Sequence, residues 1–232
     1  MMKGGRIGLK RTTSRKKRLA AQAALLTASM LLLPACTVVS LDSPSAATSG
    51  GGMFDESFDA EGFVSTEWER TSKYFDDNAD DIVEVLSAIA QDPEQAGETY
   101  GVRSGADGAP WNFVVKGEAR VLAVNTESRA GTLDIDLAPF DGTKDATVQI
   151  GPVIKGTSIR DSLDFVKFDQ FKNQIQYAQL ANALNKRANE QALAGRDPAS
   201  LAGQQVRFTG AFTAGSSIVI TPVKLELVEG GG

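Results

Sequence analysis

The polar residues best suited to chemistry crowd into one stretch, QIGPVIKGTSIRDSLDFVKFDQFKNQIQYAQL, residues 149–180. Lys155, Thr157, Arg160, Asp161, Asn173 and Gln174 stand there around a change from strand-like to helix-like patterning. Gly151, Pro152 and Gly156 permit a tight turn. Thr157 suits the N-cap of the helix that follows, its hydroxyl accepting from a first-turn amide. Free N–H groups at a helix start attract anions, and Lys155 and Arg160 add charge beside them. In one reading this is a small pocket for a carboxylate, a sugar hydroxyl or a partner's acidic side chain. In the other, Arg160 pairs with Asp161 or Asp164 or braces the turn, Asn173 and Gln174 cap strand edges, and the stretch is a joint in the fold. Trp68 and Trp111 read as packing anchors, and Trp111 also suits the wall of a groove.

What is missing narrows the chemistry further. The chain has no histidine and a single cysteine, Cys36. This removes Ser-His-Asp and Cys-His nucleophiles and histidine-held metals. No glycine motif of the Walker or dinucleotide type occurs. Acids are plentiful, but no pair has the spacing of a carboxylate hydrolase, and YFDDNADDI lacks the glycine and bidentate glutamate of a calcium loop. No catalytic residue, metal or cofactor is expected, and the protein reads as a non-enzyme.

The elements that must position the polar stretch follow from period. In residues 61–91 Trp68, Phe75, Ala79, Ile82, Leu86 and Ile89 recur at helical spacing, with an acidic opposite face. Asp92-Pro93 reads as a cap and first turn, opening a shorter helix that stops near Tyr100-Gly101. From residue 112 apolar and polar residues alternate: a long strand over 112–125 with Gly117 inside it, then GTLDIDLAPF, then ATVQIGPVI. One long helix is expected over about 159–192, with Ile159, Leu163, Val166, Phe171, Ile175, Ala178 and Leu184 as its buried stripe and Gly195 at its end. GQQVRFTGAF and SSIVITPVKLELV supply the fourth and fifth strands. Three strands, a helix and two strands is the order of the five-stranded OB barrel. The expected class is thus α+β: an OB-like β-barrel over 106–229 with a helical segment, 61–105, packed on it.

The first 35 residues are of another kind. MMKGGRIGLKRTTSRKKR holds eight Lys/Arg and no acid, and an apolar run leads to Cys36. A basic start and a short apolar segment make an export signal, too short for a stable membrane span. Leu33-Pro34-Ala35-Cys36 resembles the lipobox of bacterial lipoproteins, with Pro34 where Ala or Ser is commoner. The resemblance implies cleavage before Cys36, diacylglycerol on its thiol and an acyl chain such as palmitate on its amine. Thr37 in place of an aspartate points to the outer membrane. Residues 36–60, rich in Ser, Ala and Gly, read as a flexible tether. Of 24 Lys/Arg and 29 acids the mature chain keeps 16 and 29, a net charge of −13. Such a body repels phosphate backbones, so nucleic acid is not expected as a partner.

The run GPVIKGTSIRDSLDFVKFDQFKNQIQYAQLANALN, with GAPWNFVVKGEARV before it and GQQVRFTGAF and ITPV after it, resembles a bacterial family of uncharacterised periplasmic lipoproteins. That resemblance implies a setting, beside ABC importers for ribose- or xylose-like sugars, and no mechanism. The expected role is therefore an accessory or binding component of sugar uptake, contacting the sugar, the sugar-binding protein or the permease. A small-molecule sensor unrelated to transport, or a carbohydrate hydrolase using carboxylates, would present different surfaces. A sugar binder needs a cleft with an aromatic platform. A hydrolase needs two carboxylates facing across one, about 5–10 Å apart.

Overall fold

The computed structural model describes residues 58–105 and 108–228. The signal peptide, Cys36 and nearly all of the tether lie outside the described residues.

The N-terminal helical stretch is three helices where one longer and one shorter helix were expected. The first, α1 (Ala60–Asn78), is capped by Asp59, whose carboxylate accepts from the Gly62 amide at 2.8 Å. It buries Val64, Trp68, Thr71 and Phe75 on one face. The helical spacing continues into Ala79 and Ile82, yet the chain becomes extended at Ala79, and Asp80–Asp81 form a short strand, β1. The reason is a cap: the Asp81 carboxylate accepts from the amides of Val83 and Glu84 and starts a new helix, α2 (Ile82–Gln91). Asp92 repeats the device at 3.1 Å for α3 (Pro93–Tyr100), with proline in the first turn.

The chain then builds a closed barrel. After the two-residue β2 (Gly101–Val102) come β3 (Asn112–Asn125), β4 (Thr132–Leu137) and β5 (Ala146–Gln149); β6 (Gln205–Thr213) and β7 (Val219–Leu227) follow the intervening helices. β3 pairs with β4, β4 with β5, β5 with β7, β7 with β6, and β6 with β3 again. Only the β5–β7 pairing in this circuit is parallel. The long strand closes the barrel because its ends serve different neighbours: Asn112–Arg120 pair with β6 and Ala119–Asn125 with β4. A register irregularity between Val121 and Ala123 lies in its second half. Gly117 also admits α2, since a Cβ there would stand 2.7 Å from Ile82 Cγ2. β1 and β2 add to β3 outside the barrel circuit.

Alternation along β3 divides the apolar residues between two cores. Phe113, Val115, Ala119 and Val121 point inward to Leu133, Ile135, Val148, Phe208 and Ile220. Val114 points outward with Ala211 and Val223, and these three lie under Val64, Trp68, Ile159, Leu180 and Leu184. Helices α1, α4 and α5 (the last two Ser158–Ser162 and Gln174–Leu193) thus form a second layer on the outer face of β3, β6 and β7, while Ile82 and Val85 of α2 join the inner core.

The long helix expected over 159–192 is two helices. α4 (Ser158–Ser162) ends at an extended Leu163; a 3-10 turn covers Phe168–Gln170, and α5 runs Gln174–Leu193. Leu163, Val166 and Phe171 are buried as the periodicity requires, but from irregular backbone. Side chains satisfy the freed amides. Gln170 accepts from the Lys167 amide, Gln176 from that of Lys172, and Asn173 from those of Ile175 and Gln176. Asn173 restarts the helix in a new phase, so Ala178 is exposed and Ile175 half-buried, while Leu180, Ala181 and Leu184 carry the inner face. The helix ends on Ala194 and Gly195, both left-handed, at φ 48° and 76°.

Candidate functional site

The stretch from Gln149 to Asp161 is held from within. The Gln149 amide donates to the Lys155 carbonyl and to Thr221 Oγ1, both at 2.9 Å, and its carbonyl accepts from the Lys155 amide at 2.8 Å. One side chain thereby continues the strand's hydrogen bonding around the turn. Gly151 is required by a close approach, since a Cβ there would fall 2.1 Å from Gly131 N. Ser158 Oγ donates to the Ala211 carbonyl at 3.2 Å, which seats the start of α4 on β6.

This corrects the expected anion pocket at the helix start. Thr157 makes no cap hydrogen bond; its hydroxyl donates forward to Asp161 Oδ2 at 2.5 Å. Ser158, Ile159 and Arg160 are buried, so the first turn of α4 presents no open cradle. Lys155 is exposed at the turn, fixed through its backbone. Asn173 serves as a helix cap and not as a strand-edge cap.

Arg160 faces the other way, toward α5, and only 9% of its surface is exposed. Its Nε and Nη2 donate to Asp161 Oδ1 at 2.8 and 2.6 Å, and Nη1 donates to the Tyr177 carbonyl at 3.0 Å. Its Cζ lies 3.6 Å from the centre of the Tyr177 ring. The Tyr177 hydroxyl donates to Asp161 Oδ1 at 3.4 Å and sits 3.5 Å from Ser104 Oγ. Of the two pairings weighed for Arg160, Asp161 is the partner in the structure.

This network forms the floor of a cleft of about 610 Å³. Arg103, Ser104 and Gly105 line it on one side, Lys167 and Phe168 on another, and Gln174 and Tyr177 from the first turn of α5. Phe168 is 48% exposed and meets Tyr177 edge-on, with ring centres 5.4 Å apart. Arg103 is positioned from behind: its Cζ lies 3.8 Å from the Trp111 ring centre and its Nη2 pairs with Glu94 at 2.8 Å. Trp111 Nε1 donates to the same carboxylate at 3.1 Å. That hydrogen bond, and then those from Arg103, hold the Glu94 carboxyl below its ordinary pKa. Trp111 itself lies against Gly97 of α3, where a Cβ would strike its ring at 2.2 Å, and is not among the residues lining the cleft.

Of the residues singled out by sequence, Arg160, Asp161 and Gln174 meet at the cleft and Thr157 stands behind Asp161. Lys155, Asn173 and Trp111 do not line it. Arg103, Ser104, Lys167, Phe168 and Tyr177 were not singled out as site residues. Phe168 was legible in part, because it departs from the apolar period of its neighbours; nothing in the sequence marks Arg103. Among the described residues no cluster of side chains suits a metal ion, and no helix is long and apolar enough to cross a membrane.

Comparison with known proteins adds a family and a fold. A family model described as "Predicted periplasmic lipoprotein (DUF2291)" matches residues 26–226. An OB-fold protein from Thermotoga maritima, known from its crystal structure, is 19% identical, with a TM-score of 0.59 over 74% of this chain and 99% of that one. The expected OB barrel is thus the fold of this chain. No curated protein matches it.

Proposed function

We propose, for a chain that belongs to the family of predicted periplasmic lipoproteins, a non-enzymatic role as a binding component of sugar uptake, anchored through Cys36 at the outer membrane. The observation that carries this reading is the cleft at Arg103, Arg160, Phe168 and Tyr177. It joins an exposed aromatic edge to convergent hydrogen-bonding side chains, the combination that orients small polar ligands. Among the described residues Asp161 is the only carboxylate lining it, and that group is engaged by Thr157, Arg160 and Tyr177. Glycoside hydrolysis uses two carboxylates across a cleft, so the lining favours binding over turnover.

Thermal unfolding of the mature chain carrying Cys36→Ser, with pentoses, hexoses and the sugar-binding protein of an uptake system, tests the proposal. A ligand at 100 times its Kd stabilises by about 2.7 kcal/mol, which raises Tm by about 5–11 °C for a domain of this size. A sugar is expected to give this shift, and Phe168→Ala to reduce it without lowering the Tm of the free protein. Complex formation with the binding protein and no shift with any sugar would make the protein an adaptor and remove the cleft from the account.

A further inference from the structure

We infer that the ligand of this cleft is an anionic sugar, one bearing a carboxylate or a phosphate, in preference to a neutral one; the inference rests on the cleft being a sugar site. It follows from counting donors against acceptors. Three of the Arg160 N–H groups are committed to Asp161 and the Tyr177 carbonyl; its other N–H groups carry no hydrogen bond among the described residues. The Lys167 ammonium beside Phe168 is in no ion pair among the described residues. Arg103 lines the same cleft, with its Nη2 held by Glu94. Against these donors, the described lining residues offer one carboxylate, and it already accepts from Thr157, Arg160 and Tyr177.

A neutral sugar brings hydroxyl groups that need acceptors as well as donors. Among the described lining residues the one carboxylate already accepts from three groups, while Lys167 and the remaining Arg160 N–H groups are open donors. A carboxylate or phosphate brings acceptors only, and charge-assisted hydrogen bonds to Arg and Lys are the stronger kind. The setting sharpens the contrast. The mature chain carries 16 Lys/Arg against 29 acids, yet Arg103, Arg160 and Lys167 meet at one cleft with one carboxylate among its described lining residues. Phe168 supplies an apolar edge for the sugar ring, which a bare anion would not use.

Calorimetric titration of the mature Cys36→Ser chain with galacturonate, glucose 6-phosphate, galactose, acetate and inorganic phosphate tests this. At least one anionic sugar is expected to bind about tenfold or more tighter than galactose. Its affinity should fall as salt is raised. Lys167→Gln, a change at an exposed residue, should remove most of that advantage, and Phe168→Ala should weaken the anionic sugars while leaving any acetate binding unchanged. Galactose binding as tightly as its acid overturns the inference and leaves the cleft a sugar site. Acetate or phosphate binding as tightly as the anionic sugars also overturns it, since the site is then a plain anion hole. Binding by none of the sugars removes the cleft reading itself.

Discussion

Arg160 shows how one residue separates the two readings that the sequence leaves open. Its spacing from Asp161 and Asp164 announces an ion pair, and its place after a glycine turn announces an anion site. The structure satisfies the first: the guanidinium is stacked on Tyr177 and bonded to Asp161, so it braces the joint between α4 and α5. It also floors the cleft, so joint and site share a residue. Removing it leaves the largely buried Asp161 without its cation. Arg160→Ala is expected to destabilise the fold by about 2–4 kcal/mol, measured by urea unfolding. A change below about 0.5 kcal/mol would show that the brace is redundant. The direction in which Arg160 points was not legible, because it depends on Tyr177, seventeen residues away on a separate helix.

At the scale of elements, helical periodicity located the apolar residues and misjudged the backbone between them. Twice a run with helical spacing is broken by a side chain that caps the next helix, Asp81 in the first case and Asn173 in the second. Across the second break the apolar residues stay in one core, Phe171 with Leu180 and Leu184, whereas across the first they pass from the outer core at Phe75 and Ala79 to the barrel core at Ile82 and Val85; in both the spacing survives and the hydrogen-bonding pattern does not. Asn173→Ala should cost about 1 kcal/mol, seen as a lower urea midpoint, while Asn173→Asp retains the cap and should cost little. The break at β1 has an electrostatic consequence. Burial raises the pKa of the Asp80 carboxyl, and Lys116 opposes this in part. A carboxyl raised in the folded state favours folding while it is protonated and disfavours it as pH rises through the folded value. Asp80→Asn should therefore stabilise the protein at pH 7, and the gain should vanish once pH falls below the ordinary aspartate range. Equal gains at pH 7 and pH 3 would rule out this cause.

For the whole molecule, the order of elements was the most legible feature. Three strands, helix and two strands closed into a barrel because β3 is long enough to pair with β6 at one end and β4 at the other. The family's lipoprotein character was legible in the basic leader, the apolar run and Cys36. The cleft was not, because it draws on three parts of the chain, 103–105, 160–168 and 174–177, that only the packing of α4 and α5 on the barrel brings together. The helical layer lies on β3, β6 and β7, whereas β4 and β5 pack chiefly on neighbouring strands. The molecule thus keeps the outer side of β4 and β5 apart from the cleft. That separation makes hydrogen exchange of the mature chain the most direct measurement, with and without the sugar that gives the largest thermal shift. The account predicts slower exchange confined to residues 103–105 and 160–177. Protection centred on β4 and β5, with the cleft unchanged, would contradict it.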